Sequence, residues 1–262
     1  MRYTNIPAHE ADFRATGVDS DGHRFTMEPS SVPIPGSSER LNVVGIKRTD
    51  GVNSFYYDEV RPVGAVQRII GHFTAGYLKG DIAALTREDN HVSVPFVLAR
   101  DGTIYQLFSS RCWSYTLGKG AAGGNKEMCK SGVAFELSNV AYLREKNGVL
   151  VDPYGEAYCS PEDHDAYVTL PKPYRGYTKF ATFTDAQYKS LASLLRYLSI
   201  TYSIPLKLLP EPQRYDVYPG VASWRGITTH VNYQPQGYGK WDIGPAFDWG
   251  RVPAPVNRLL RL

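Results

Sequence analysis

Apolar and polar positions along the chain change period in a readable order. A short apolar run over 66–70 closes at His72 and is followed at once by Ala75-Gly76, so 67–72 reads as a buried strand ending at a turn. Residues 80–90 carry Ile82 and Leu85 three apart, the spacing of a short helix. The stretches 94–100 and 103–108 are β-rich and joined by Asp101-Gly102, the strongest hairpin signal in the chain. Residues 132–138 read as another strand, with Glu136 on the face opposite Val133, Phe135 and Leu137. Thr184 and Gln187 form a capping box, and Leu191, Leu194, Leu195, Leu198 and Tyr202 lie on one stripe, so 184–202 is the best helix, stopped by Pro205. A further strand is expected over 224–229, with a Gly- and Pro-containing loop over 232–239.

The order of strand, helix, hairpin, strand, helix and strand predicts an α/β fold with a mixed central β-sheet flanked by helices. Two stretches fall outside the pattern. Residues 1–38, rich in Asp, Glu, Ser, Gly and Pro, read as an irregular arm, and 141–181 as a long insertion without clear periodicity. Between arm and body, 41–47 and 52–60 flank Thr49-Asp50-Gly51 and predict a small accessory hairpin. The expected division is therefore an N-terminal extension over 1–60, open to a docking partner, and a main domain over 61–262.

A length of 262 residues suits one domain with decorations. The net charge of +3 comes without a long Lys/Arg block, which does not imply nucleic acid. No stretch reaches the length of about 20 apolar residues that a membrane span needs, so no membrane insertion is expected. The first residues lack the apolar core of a secretion signal, so synthesis in the cytosol without a signal peptide is expected. Cys112, Cys129 and Cys159 have no C-x-x-C spacing, which gives neither a thiolate zinc site nor a full disulfide framework and leaves room for one disulfide. Cys112 has no cysteine-hydrolase signature around it and reads as a partly buried thiol. Tyrosine is abundant, at 19 residues, which suits grooves that stack on sugars or peptides and a tyrosine-rich surface equally well.

Candidate chemistry lies in two distant segments. His72 and His230 both close strand-like runs, and Lys240-Trp241-Asp242 follows the second. Two neutral imidazoles and a carboxylate make a three-ligand set that leaves a fourth position for water, as in zinc hydrolases, with the Lys240 ammonium beside it. Taken singly, a strand-end histidine is more often structural, and Lys240 a solvated loop charge. Asp242 alone would be a turn former, and Asp248 a cap.

The motifs between these segments supply more. His72 with Thr74-Ala75-Gly76 is followed by Val92-Ser93-Val94-Pro95-Phe96, by Arg100-Asp101-Gly102-Thr103 and by Trp113-Ser114-Tyr115-Thr116-Leu117-Gly118. Then come Gly132-Val133-Ala134-Phe135-Glu136-Leu137, the Phe183-Thr184 helix start, Thr229-His230, and Lys240 to Trp249 with Asp242, Gly244 and Pro245. In this order they resemble the type-2 family of zinc-dependent N-acetylmuramoyl-L-alanine amidases, which shares its fold with phage endolysins and peptidoglycan recognition proteins. The resemblance covers roughly residues 61–250.

The resemblance implies a zinc ion held by His72, His230 and Asp242, with Glu136 as acid/base carboxylate and Lys240 stabilising charge on the substrate oxygen. It implies peptidoglycan as partner, with Trp113, Thr116 and Trp241 as candidate substrate contacts. It departs from the family at three positions. Thr116 and Pro95 each stand where many relatives carry His, and Ile243 replaces the proline after the metal-binding Asp. Two other readings stay open at this point: a peptidoglycan-binding module with weak or no catalysis, and an amidase-fold component of a phage or secretion apparatus.

Overall fold

The computed structural model describes residues 1–234 and 240–252, so most of the loop expected over 232–239 and the end of the chain lie outside the described residues. Its elements run α1 (Arg2–Thr16), β1 (Phe25–Pro33), β2 (Arg40–Arg48), β3 (Arg68–Phe73), α2 (Leu78–Leu85), β4 (Phe96–Leu98), β5 (Ile104–Gln106) and α3 (Asn125–Lys130). There follow β6 (Gly132–Leu137), β7 (Tyr142–Lys146), β8 (Val149–Val151), β9 (Ala157–Cys159), β10 (Tyr167–Tyr174), β11 (Tyr177–Ala181), α4 (Asp185–Tyr202), α5 (Glu211–Arg214) and β12 (Gly226–Thr229).

Seven strands form the main sheet in the order β1-β2-β5-β4-β6-β3-β12, a mixed sheet as expected. β3 runs parallel to both β6 and β12, and every one of its residues is buried. That two-sided burial is why its sequence shows an apolar run and not an alternation. One face, with Ile69, Phe73, Val133, Phe135 and Leu137, packs on the leucine stripe of α4. The other, with Ile70, Val97 and Ala134, packs against Tyr105, Trp113 and Cys129. α4 starts at the predicted capping box: Thr184 Oγ1 accepts the Gln187 N–H, and Gln187 Oε1 accepts the Thr184 N–H.

The N-terminal region differs from expectation. Residues 2–16 form a helix and not an irregular arm. Its buried positions, Ile6, Glu10 and Phe13, give a stripe in which one member is a carboxylate, so hydrophobic periodicity does not reveal it. Tertiary contacts hold it: the Glu10 carboxylate accepts the backbone N–H groups of Arg100 (2.9 Å) and Asp101 (3.0 Å) at the β4–β5 turn. Burial raises the Glu10 pKa in spite of those bonds. The hairpin is also displaced. β1 pairs with β2 across a turn at 34–39, while 52–60 forms no strand beyond an isolated bridge from Tyr57 to Trp113. β2 in turn pairs with β5, so residues 25–48 extend the main sheet. β1 is an edge strand with mostly exposed residues and two prolines, which removes the apolar signal a buried strand would give.

The stretch 141–181 is not irregular. It holds a second sheet, β10-β11-β7-β8-β9, that closes a small core of Leu143, Leu150, Tyr158, Cys159 and Ala181 with Ile6 of α1. Pro171 and Pro173 sit on its edge strand β10, where a missing N–H costs no ladder bond. α2 ends at Leu85, short of the expected 90. His91 is half-buried, its ring stacked on that of Tyr57 at 4.3 Å between centroids. The three cysteines are free and buried, with no disulfide. No described helix is long and apolar enough to cross a membrane.

Candidate active site

The C-terminal ends of three adjacent parallel strands converge on one spot. Thr228, Ile70 and Ala134 stand in one row across β12, β3 and β6. Side chains two residues further along a strand return to the same face, so the next row carries His72 and Glu136, and His230 follows β12 directly as the first residue of a 3-10 turn. The register pairs His72 directly with Glu136. Gly71 lets this end of β3 fit: a Cβ there would lie 2.8 Å from Ile243 Cδ1 and 2.9 Å from Phe135 Cζ. Ile243, where relatives carry proline, is therefore a packing residue behind the row, fully buried.

Asp242 completes the cluster from the loop after β12, held there by the Val231 N–H donating to its carbonyl at 2.9 Å. Asp242 Oδ2 lies 3.0 Å from His72 Nδ1 and 2.9 Å from His230 Nδ1, and the two nitrogens are 3.1 Å apart. All three side chains are buried. The His230 ring has a defined tautomer: Nε2 lies 3.2 Å from the Leu117 carbonyl, which can only accept, so in the neutral ring Nε2 holds the hydrogen and Nδ1 a bare lone pair. A lone pair facing a carboxylate oxygen at 2.9 Å is repulsive unless a cation or proton stands between them. Four-coordinate zinc, with bonds of about 2.0–2.2 Å, sets its donor atoms roughly 3.3 Å apart, close to the spacings here. These residues fit a metal ion.

The electrostatics agree. Burial, against the Asp242 hydrogen bond, lowers the His72 pKa to about 4, which keeps the ring neutral and able to ligate. Burial opposes ionisation of Asp242, but positive charge and hydrogen bonding from the His230 and His72 side outweigh it and hold its carboxyl well below the usual range, a place that a bound cation takes when both rings are neutral. Glu136 is raised well above an ordinary glutamate, first by burial, then by the charges of Asp242 and Asp81, with Lys240 acting against them. One of its carboxyl oxygens and Nε2 of His72 are buried without a hydrogen-bond partner.

Lys240 is half-buried, and its charge acts on both His72 and Glu136. The substrate-contact candidates are placed differently. Trp241 is half-buried beside Asp242 and packs against Tyr142, at 5.4 Å between ring centroids. Trp113 is only 3% exposed, stacked on Tyr57 and donating its indole N–H to Glu59 at 2.9 Å, so the structure gives it no open face near the cluster. Thr116 and Pro95 line a small cavity against Ile70 and Ala134, one row beneath His72 and Glu136, where the Thr116 N–H donates to Cys129 Sγ. Asp248 is structural, its Oδ1 accepting the Gly250 N–H at 2.8 Å.

Sequence reasoning missed Asp81. This buried carboxylate accepts the Ser138 hydroxyl hydrogen at 2.7 Å, and burial raises its pKa to about 7. It shares the wall of a cavity of about 380 Å³ with Glu136. The only sequence signal is an acid in the first turn of an apolar helix, which reads ordinarily as a dipole contact.

A family model described as N-acetylmuramoyl-L-alanine amidase matches residues 62–245. Among curated protein sequences none matches the chain. Among solved structures, the N-acetylmuramyl-L-alanine amidase AmiD from E. coli, in complex with an anhydro-N-acetylmuramic acid peptide, is 18% identical with a TM-score of 0.46. That match covers 85% of this chain and 64% of that one, so the chain spans less than two thirds of AmiD. AmpD is 19% identical with a TM-score of 0.41, over 77% of this chain and 96% of that one. The endolysin amidase LysCS from Clostridium intestinale is 13% identical with a TM-score of 0.38, over 77% and 90%.

Proposed function

The chain belongs to the N-acetylmuramoyl-L-alanine amidase family, and from that premise we propose that it hydrolyses the amide between N-acetylmuramic acid and L-alanine in peptidoglycan with one zinc ion. The observation that carries this reading is the meeting of His72 Nδ1, His230 Nδ1 and Asp242 Oδ2 within 3.1 Å of one another, beside a carboxylate of raised pKa. These three residues would hold the metal. When bound, zinc supplies a Lewis acid and lowers the pKa of coordinated water toward about 7.

The remaining work falls to this chain's own groups. Glu136 accepts the proton of the attacking water and passes it to the leaving nitrogen of L-alanine. An amine leaves poorly unless protonated, and a carboxyl of raised pKa takes a proton from water more readily than an ordinary one and holds it near neutral pH for transfer to the nitrogen. The Lys240 ammonium stabilises the negative charge that develops on the carbonyl oxygen, an effect worth about 3–4 kcal/mol for a well-placed donor. The Leu117 carbonyl orients His230. Burial around the row lowers the local dielectric and strengthens each of these interactions.

Measuring zinc content and peptide release from purified peptidoglycan, for wild type and Glu136→Ala, tests the reading. Zinc-loaded wild type that releases peptide, with zinc-loaded Glu136→Ala that does not, is the expected outcome. Zinc-loaded wild type without release overturns the hydrolase, and metal-free wild type overturns the ligand assignment.

A further inference from the structure

Glu136 forms part of a cavity whose other walls come from outside the strand ends: Thr74, Tyr77 and Leu85 on one side, and Tyr154 on the other. At about 380 Å³ it falls within the usual size of small-molecule sites. Tyr154 belongs to the turn between β8 and β9 in the second sheet, a stretch in which the sequence showed no function. Its side chain is 67% exposed, the most exposed of the large apolar residues among those described.

That exposure is not looseness. The fully buried Asp152 organises the turn: one of its oxygens accepts the Tyr154 and Glu156 N–H groups, each at 3.0 Å, and the other accepts the Tyr77 hydroxyl hydrogen at 2.8 Å. At its far end, the Tyr154 hydroxyl donates to the Ala75 carbonyl at 2.8 Å, in the loop that leaves β3 after His72. The ring is thus fixed at its backbone and at its tip while its body faces the cavity and solvent. An aromatic ring already ordered, yet two-thirds exposed, is a preorganised contact surface, because little further entropy is lost when a ligand covers it.

Charge narrows the ligand. The cavity wall carries two carboxyl groups, Glu136 and Asp81, against one arginine, Arg2, which stands 3.5 Å from Glu156 and over the Tyr77 ring. Among the described residues that line it, Arg2 is paired in this way and burial holds His9 toward its neutral form, so an acidic peptide meets no unpaired cation in that wall. An uncharged sugar ring suits it: one apolar C–H face to lie on the tyrosine, and hydroxyl and acetamido groups to meet Thr74 and the carboxyls. We propose that Tyr154 is a specificity-determining residue that receives the sugar ring of the substrate, placing the muramoyl side of the scissile amide against Glu136. This rests on the amidase reading given above.

Binding without turnover separates the two claims. In the Glu136→Gln background, calorimetry compares N-acetylmuramoyl-L-Ala-D-isoglutamine with the free L-Ala-D-isoglutamine dipeptide, with and without Tyr154→Ala and Tyr154→Phe. Tyr154→Ala is expected to weaken the sugar-bearing ligand about three- to tenfold, the size of an aromatic contact, and leave the dipeptide unchanged. Tyr154→Phe, which keeps the ring and its Asp152-held backbone but loses the bond to Ala75, is expected to weaken the sugar-bearing ligand less than Tyr154→Ala does. With Glu136 restored, Tyr154→Ala is expected to raise KM by a similar factor with kcat within about twofold. Equal weakening of both ligands, or a Tyr154→Phe defect matching that of Tyr154→Ala, overturns the proposal and assigns the residue to holding the Ala75 loop. A wild type that fails to hydrolyse, with sugar binding that still depends on Tyr154, overturns the amidase reading alone.

Discussion

His72 and Glu136 stand opposite each other on the adjacent parallel strands β3 and β6. The pairing brings a metal-ligand candidate and a proton carrier to the same face of the same sheet end, with the buried lattice behind them fixing both backbones. The two roles are separable by substitution.

Glu136→Gln keeps the shape of the side chain and removes its basicity. Zinc content is expected to match wild type while amide hydrolysis falls about 10²- to 10⁴-fold, the usual worth of general acid–base catalysis. Metal analysis paired with a peptide-release assay checks it, and parallel loss of zinc and activity would place Glu136 among the ligands.

His72→Ala deletes one of three donors. Since changes to groups that merely orient ligands weaken metal binding 10- to 100-fold, zinc affinity is expected to drop by more than about 100-fold. A competition titration against a chromogenic chelator measures it. Stripping wild-type protein of metal should also lower its melting temperature, because the ligand binds only the folded state.

Gly71 precedes the ligand and has no room for a side chain. Gly71→Ala drives a Cβ toward Ile243 and Phe135, both fully buried. A destabilisation of about 1–3 kcal/mol is expected, as for other overpacked cores, seen as a lower denaturation midpoint in urea. No change would mean that β3 shifts freely, and that the His72 position is less constrained than the packing implies.

Asp81 makes stability depend on pH. Its folded pKa of about 7 lies above the ordinary aspartate value of 3.8, so the folded protein binds the extra proton between those limits. The favourable contribution is full below pH about 4 and is lost as pH rises through 7, by a few kcal/mol at most. Asp81→Asn, neutral throughout, is expected to flatten this part of the profile and to exceed wild type in stability at pH 8. Urea unfolding at pH 5 and pH 8 tests it, and a wild type that is more stable at pH 8 than its Asn variant contradicts the assignment.

Much of the frame was legible before any coordinates. The leucine stripe and capping box of α4, the Asp101-Gly102 hairpin and the strand ending at His72 all depend on neighbours a few residues away, and period and turn chemistry report such neighbours directly. α1 and the second sheet escaped notice for the converse reason. The Glu10 clamp reaches residues 100 and 101, and β10 buries no residue while β11 buries only the adjacent pair Phe180 and Ala181, so neither leaves a periodic trace.

At the site the division is equally physical. By itself the sequence determined which groups exist to do chemistry: two strand-end imidazoles, an aspartate, a lysine, and a glutamate isolated on the far face of an apolar strand. Only the tertiary structure decided that His72, His230 and Asp242 share one point and that parallel register sets Glu136 beside His72, which local spacing cannot relate. It also decided that Leu117, through a backbone carbonyl that no side-chain pattern encodes, faces His230 Nε2. Long-range pairing and main-chain partners are properties of the folded chain, since they depend on where distant segments meet and not on what each segment is.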